Sequence, residues 1–214
     1  MAWKCSGENN EALVNNLKEK GILKTEAIVN AFLTVDRAKF LPDELKEKAY
    51  DDTPLRCTYE EGAVHQSAPH MYAHIVEHMQ IKPGYAVLNV GSGTGYLSTL
   101  FAWFNGADGI NHGVELYRSN VLFAQRHALM EMFKEGSFAP IVFFSENIFN
   151  MDVKKNIQYD RVYIGANCKR DQVPFFFPLI KDGGFLIVPS DGDFLKIARE
   201  GDNITQEVLF RGMF

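Results

Sequence analysis

The chain is predicted to fold as an α/β protein of Rossmann-like type: a seven-stranded, mostly parallel sheet with an antiparallel C-terminal hairpin and an N-terminal layer of helices. Three observations carry this expectation. The stretch VLNVGSGTGYL, Val87 to Leu97, runs an apolar strand into a loop holding Gly91, Gly93 and Gly95 and on into a helical pattern. That order brings backbone N–H groups, free of side chains, to a ligand at the carboxyl edge of a sheet. Strand-like stretches near 85–90, 110–115, 140–144, 159–164 and 184–189 alternate with helical spacing near 95–104, 117–133 and 171–180, and alternation of this kind builds a parallel sheet. The tail reads FLKIARE, then GDN, then ITQEVLFR, two strand-like runs around a turn.

Upstream of this core, residues 8–49 carry helical spacing. Leu13, Val14 and Leu17 share a face with Gly21 as a stop, and Thr25 stands as a cap before Ile28, Val29, Phe32 and Leu33. Residues 50–66, with Pro54, Gly62 and few periodic apolar positions, read as a loop that crosses the sheet's edge and covers a pocket. Ser67 then precedes Ala68 and Pro69 at the start of a helical pattern through Met71, Ile75 and Met79. One domain over 1–214 is expected, with helices and covering loop in 1–66 and the ligand-binding core in 67–214; no repeat or linker divides it.

The glycine spacing selects among nucleotide-like cofactors. A dinucleotide fingerprint places its third glycine three positions after the second, where this chain has Tyr96. The spacing is instead G-x-G-x-G. Glu115 closes the next apolar stretch, INHGVE, twenty residues past Gly95, where a carboxylate accepts from both ribose hydroxyls. Together these favour S-adenosyl-L-methionine over NAD, and so a class I methyltransferase fold. No Tyr/Lys pair at helical spacing supports an oxidoreductase.

Bulk properties narrow the partners. A net charge of −5 without a basic stretch argues against nucleic acid and for a protein or small-molecule substrate. No run reaches the length of a membrane span and the N-terminus lacks a signal-peptide core, so the expected compartment is the cytoplasm. Cys5, Cys57 and Cys168 are odd in number and far apart, which reads as reduced thiols. His70, His74 and His78 recur at helical spacing beside Glu77. The outer pair is about 12 Å apart along a helix, too far to share one tetrahedral ion, so no metal site is expected. His65 precedes the pocket and is a candidate for contact with cofactor or substrate.

A methyl group carried on a sulfonium is already activated, so the site must chiefly align the attack and exclude water. Ser67, a hydroxyl at a helix start beside the glycine loop, is the candidate to position an acceptor, against the simpler role of a helix cap.

At this point the chain resembles the protein-L-isoaspartate O-methyltransferases. The resemblance rests on GAVHQSAPHMYAHIVEHM (Gly62 to Met79), VLNVGSGTGYL, GVEL (Gly113 to Leu116), YDRVYIGA (Tyr159 to Ala166) and LIKDGGFLIVP (Leu179 to Pro189), in the family's order. GINHGVEL, LNVGSGTGYLS and SGENNEALVNNLKEKG are most similar to its divergent isoaspartate methyltransferase domain-containing branch. The resemblance implies catalysis at Ser67, substrate contacts at His65, Ala68 and His70, and cofactor contacts at Asn89, Gly91, Ser92, Gly93, Gly95, Tyr96, Glu115, Leu116, Glu146 and Asn147. It also marks departures. Asn89 stands where the family carries an aspartate, and Ser145, Glu146 and Asn147 replace a G-D-G whose aspartate lies near the adenine amino group. The chain ends at Phe214, before a valine-proline-leucine segment that helps hold the substrate peptide.

The expected activity is therefore S-adenosyl-L-methionine-dependent methylation of a carboxylate at isoaspartyl sites in proteins, a repair reaction. The alternative is a cofactor-binding, catalytically weak domain serving as adaptor or subunit of a larger assembly. For that alternative, Phe175, Phe176 and Phe177 between Pro174 and Pro178 are a candidate surface patch, although burial is the commoner fate of such runs.

Overall fold

A computed structural model describes residues 5–135, 138–153 and 157–211. The N-terminal layer opens with α1 (Asn10–Glu19) and α2 (Glu26–Thr34). Asn9 caps α1 through the Ala12 N–H, and Gly21, at φ +68°, ends it in a Schellman turn: the Gly21 N–H donates to Lys18 O and the Ile22 N–H to Leu17 O. Leu13, Val14 and Leu17 are buried as the spacing requires, whereas Leu33 is left 39% exposed.

Two expectations for this layer are corrected. Thr25 occupies the cap position of α2, but its hydroxyl donates to Glu77, 2.8 Å away. The same carboxylate accepts the Lys24 and Thr25 N–H groups, so the cap is supplied by a residue fifty-two positions later. The predicted loop 50–66 is largely a hairpin, β1 (Leu55–Tyr59) against β2 (Gly62–Gln66). Its alternating burial is short and weak, which is why pattern alone did not show it. Gly62 lies against the Tyr117 ring, where a Cβ would sit 2.4 Å from a ring carbon. Between α2 and β1 the chain makes two 3₁₀ turns, Arg37–Phe40 and Asp43–Lys48.

The core then alternates: α3 (Pro69–Met79), β3 (Ala86–Val90), α4 (Tyr96–Asn105), β4 (Ile110–Glu115), α5 (Arg118–Glu135), β5 (Ile141–Ser145), β6 (Tyr159–Ile164), β7 (Ile180–Ser190), β8 (Asp193–Glu200) and β9 (Asn203–Arg211). Seven strands form one sheet in the order β5-β4-β3-β6-β7-β8-β9, parallel through β7 and antiparallel at β8 and β9. The β7–β8 turn places Asp191 and Gly192 at positive φ, and Gly201, at φ +60°, leads the β8–β9 turn, the conformations that two-residue hairpins demand. The predicted helix near 171–180 is a 3₁₀ segment, Val173–Leu179, because Pro174 and Pro178 remove the amides an α-helix would use.

Strand alternation feeds two cores. Val87, Tyr163 and Ile187 face α1 to α5, while Leu88, Val162 and Leu186 face the Val173–Leu179 segment. Phe176 is buried in the second core, and Phe175 and Phe177 pack partly against it, so the aromatic run is mainly an internal wedge. No helix among the described residues is long and apolar enough to cross a membrane.

Candidate functional site

In this sheet the direction of winding reverses between β3 and β6, and the crevice at their carboxyl ends is where open α/β sheets bind ligands. The glycine loop leaves β3 at this point. Gly91, Gly93 and Gly95 have φ of +75°, +54° and +91°, a region that L side chains disfavour. They serve different ends. Gly91 lies against Gly165, the residue that follows β6, and the Gly165 N–H donates to Val90 O. Gly95 packs under the start of α4, where a Cβ would come within 2.9 Å of Ala124 Cβ. Gly93 faces the recess, its nearest neighbour being His65 O at 3.9 Å from the position of a Cβ.

Glu115, 8% exposed at the end of β4, anchors the loop. Its Oε2 accepts the Gly93 N–H at 2.8 Å and its Oε1 the Tyr117 N–H at 3.1 Å. Each carboxylate oxygen keeps a second lone pair for a ribose hydroxyl. Glu115→Ala is expected to weaken S-adenosyl-L-homocysteine binding by about 1 to 3 kcal/mol in titration calorimetry. An unchanged Kd would place the ribose contact elsewhere.

The hairpin β1–β2 roofs this loop and delivers Ser67. Ser67 is not the cap of α3, since Ala68 holds that position. Its N–H donates to Tyr72 Oη at 3.0 Å and its carbonyl accepts from Arg37 Nη2 at 3.5 Å. Neither contact uses the hydroxyl. One recess is therefore lined by His65 and Ser67 from the roof and by Asn89, Gly91, Ser92, Gly93 and Tyr96 from the floor. Asn89 Nδ2 donates to Ser98 Oγ at 2.8 Å, while Asn89 Oδ1 and Ser92 Oγ are buried without a partner. Unpartnered buried acceptors beside a glycine cradle fit a polar ligand such as an amino-acid moiety.

Other candidate residues stand apart from the recess. Leu116 is 59% exposed, and Glu146 and Asn147 are exposed on a lip at the ends of β4 and β5. There the Glu146 N–H donates to Glu115 O, and Asn147 Oδ1 caps the 148–150 turn through the Phe149 N–H. Ala68 is buried. The His70 ring is engaged by Asp52, with Nδ1 at 2.8 Å from Oδ1. His78 Nδ1 donates to His74 O at 2.7 Å, and both those rings pack on Phe210, so the helix histidines have separate occupations.

Sequence reasoning missed Gln66, Tyr72, Thr94, Leu97, Tyr163 and Gly165 in the lining. Gly165 had a signal, since it ends β6 as Gly91 ends β3; the tyrosines read as ordinary helix and strand residues. Burial raises the phenols of Tyr72, Tyr96 and Tyr163, although at Tyr72 the Ser67 contacts and Arg37 act the other way and at Tyr96 Arg37 does so. The recess thus presents neutral hydroxyls.

Residues 8–211 match the family model for protein-L-isoaspartate(D-aspartate) O-methyltransferase. Protein-L-isoaspartate O-methyltransferase 1 of Arabidopsis thaliana is 34% identical over 195 residues, covering 87% of this chain and 80% of the relative. The protein-L-isoaspartate O-methyltransferase of Triticum aestivum is 32% identical over 188 residues, 85% of this chain and 77% of its own length. A Plasmodium falciparum structure described as a protein-L-isoaspartate O-methyltransferase in complex with S-adenosyl-L-homocysteine superposes with a TM-score of 0.81, at 28% identity and 97% coverage of both chains. A glycine loop, the Glu115 carboxylate that anchors it and the Ser67 turn thus meet in a chain matched almost from end to end, and it belongs to the protein-L-isoaspartate (D-aspartate) O-methyltransferase family.

Proposed function

We propose that the protein methylates the free carboxylate of isoaspartyl residues in damaged proteins, using S-adenosyl-L-methionine. The observation that carries this reading is the convergence, in one recess, of the glycine loop with the Ser67 turn of the SAPHM segment. Bound there, the cofactor supplies an activated methyl group: a carboxylate O–CH₃ bond forms, the S–CH₃ bond breaks, and a neutral thioether leaves.

The chain's own residues bind and orient. Gly91 and Gly93 leave room for the cofactor's close approach, Glu115 receives the ribose, and Asn89 Oδ1 and Ser92 Oγ receive polar hydrogens of its amino-acid end. Glu146 and Asn147 accept from the adenine amino group at the lip. The Ser67 hydroxyl, its backbone fixed by Tyr72 and Arg37, donates to the acceptor carboxylate and aligns it. His65 lies on the same side of the recess, while Ala68 and His70, outside its lining, hold the start of α3 in place.

The test is methyl transfer from labelled S-adenosyl-L-methionine to an isoaspartyl peptide, with S-adenosyl-L-homocysteine binding measured on the same sample. The native chain is expected to turn over, and Ser67→Ala to lower kcat/KM by about 100-fold while leaving cofactor binding intact. Undiminished turnover in Ser67→Ala would sink the assignment of that hydroxyl.

A second reading, a cofactor-binding subunit of a larger assembly, is favoured by Val142 and Phe144 on the edge strand β5 and by nearby Phe149, 46%, 38% and 47% exposed. Binding without turnover would select it. The free thiols Cys5, Cys57 and Cys168 support a reducing, cytoplasmic setting for either reading.

A further inference from the structure

Arg37 heads the fully buried side chains by volume, with no solvent exposure. Its Nε donates to Gln66 Oε1 at 3.1 Å and its Nη2 to Ser67 O at 3.5 Å, while Nη1 is buried without a partner. Among the described residues no carboxylate stands at ion-pair distance from it. Asp36 accepts from Ala38 N–H and Tyr50 Oη, and the buried Asp52 accepts from His70 at Oδ1 and keeps Oδ2 without a partner, acting on Arg37 from beyond ion-pair distance. Burial lowers the guanidinium's pKa, and the phenol groups of Tyr96 and Tyr72, then Asp52 and Asp51, work against it. An arginine stays charged under such conditions.

A buried cation with no carboxylate in contact is costly, and holding a carbonyl and an amide oxygen does not require charge. The surroundings of this one give it a use. Gln66, Ser67, Tyr72 and Tyr96 stand between Arg37 and the recess, and all four line it. Because Arg37 takes the amide oxygen of Gln66, a residue 2% exposed, the donor end of that side chain is what remains: Gln66 Nε2 is buried and unpartnered. The guanidinium thus turns a two-way amide into a fixed donor, fixes the carbonyl of Ser67, and leaves positive charge behind a wall with little water to screen it.

We propose that Arg37 is a positioning residue for the acceptor: through Gln66, Ser67 and its own unpaired charge it makes the recess select an anionic carboxylate over its neutral amide. This rests on the isoaspartyl reading above. The complementarity is completed only when the acceptor arrives, which places the missing counter-ion on the substrate rather than in the chain.

The experiment uses the full chain loaded with S-adenosyl-L-homocysteine. Binding is measured for an isoaspartyl peptide and for the same peptide carrying an amide in place of the free carboxylate, with Arg37 native, Arg37→Gln and Arg37→Lys. The native protein is expected to prefer the carboxylate by about 10-fold or more, and Arg37→Gln to lose that preference with S-adenosyl-L-homocysteine affinity unchanged. Arg37→Lys keeps the charge without the fork, so it should bind both peptides more weakly yet retain the preference. If Arg37→Gln does not fold, the lysine variant decides alone: loss of preference there overturns the inference.

Equal weakening of both peptides by Arg37→Gln, the mark of a merely structural role, overturns it too, as does a preference that survives in that variant. A native chain that neither methylates nor binds the isoaspartyl peptide overturns the functional reading and this inference with it. A native chain that does both while Arg37→Gln keeps its preference overturns the inference alone.

Discussion

Replacing Gly93 by valine is expected to abolish S-adenosyl-L-homocysteine binding while the protein still folds. Gly93 sits at φ +54°, where a β-branched side chain is strained by about 1 to 2 kcal/mol, yet no atom lies closer than 3.9 Å to the position of a new Cβ. The substitution therefore meets no wall of the protein; the branch enters the recess itself. A strain of that size lowers the melting temperature by about 2 to 8 °C in a chain of this length. Calorimetry and thermal melting on one sample separate the two effects. A Kd within about tenfold of the native value, or 1.4 kcal/mol, would remove Gly93 from the binding surface.

Phe176→Ala is expected to give the largest loss of stability, about 3 to 5 kcal/mol, read as a shift of the urea midpoint at unchanged slope. The ring is 1% exposed and meets Phe175 edge-on with centroids 5.2 Å apart, and its removal leaves a cavity between the Val173–Leu179 segment and the sheet. Phe175→Ala, at a partly exposed ring, should cost less than half as much. Equal losses would mean that the segment packs as a loose layer instead of through one inserted ring.

That contrast also shows what pattern can and cannot reveal. The strands β4 and β6 lie where alternation put them, at 110–115 and 159–164, because their apolar residues are bounded by clear turn residues. The run Phe175–Phe177 gave no direction, since three consecutive aromatics carry no period. Its inward member is chosen by a 3₁₀ geometry that the prolines impose. The hairpin 55–66 was hidden for a different reason: its strands bury few side chains, and its partners Tyr117, Ser119 and Asn120 are more than fifty residues away. At the recess, Gly91 and Gly93 were legible because a backbone at positive φ demands glycine at that spacing. Arg37 was not, because nothing in a sequence distinguishes a solvated arginine from one folded beneath a serine.

Glu77 couples two layers of the fold. Its carboxylate ties the start of α2 to the body of α3, and Arg37, just after α2, grips the turn that enters α3. The N-terminal layer and α3 are thus clasped at both ends and are expected to open as one unit. Any opening that frees α2 also releases Ser67, although the glycine loop, anchored to the sheet by Glu115, stays in place. Competence to hold the acceptor and competence to hold the cofactor accordingly have separate lifetimes in the same native state. Amide exchange at Lys24 and Thr25 reports the first, and exchange at Gly93 reports the second.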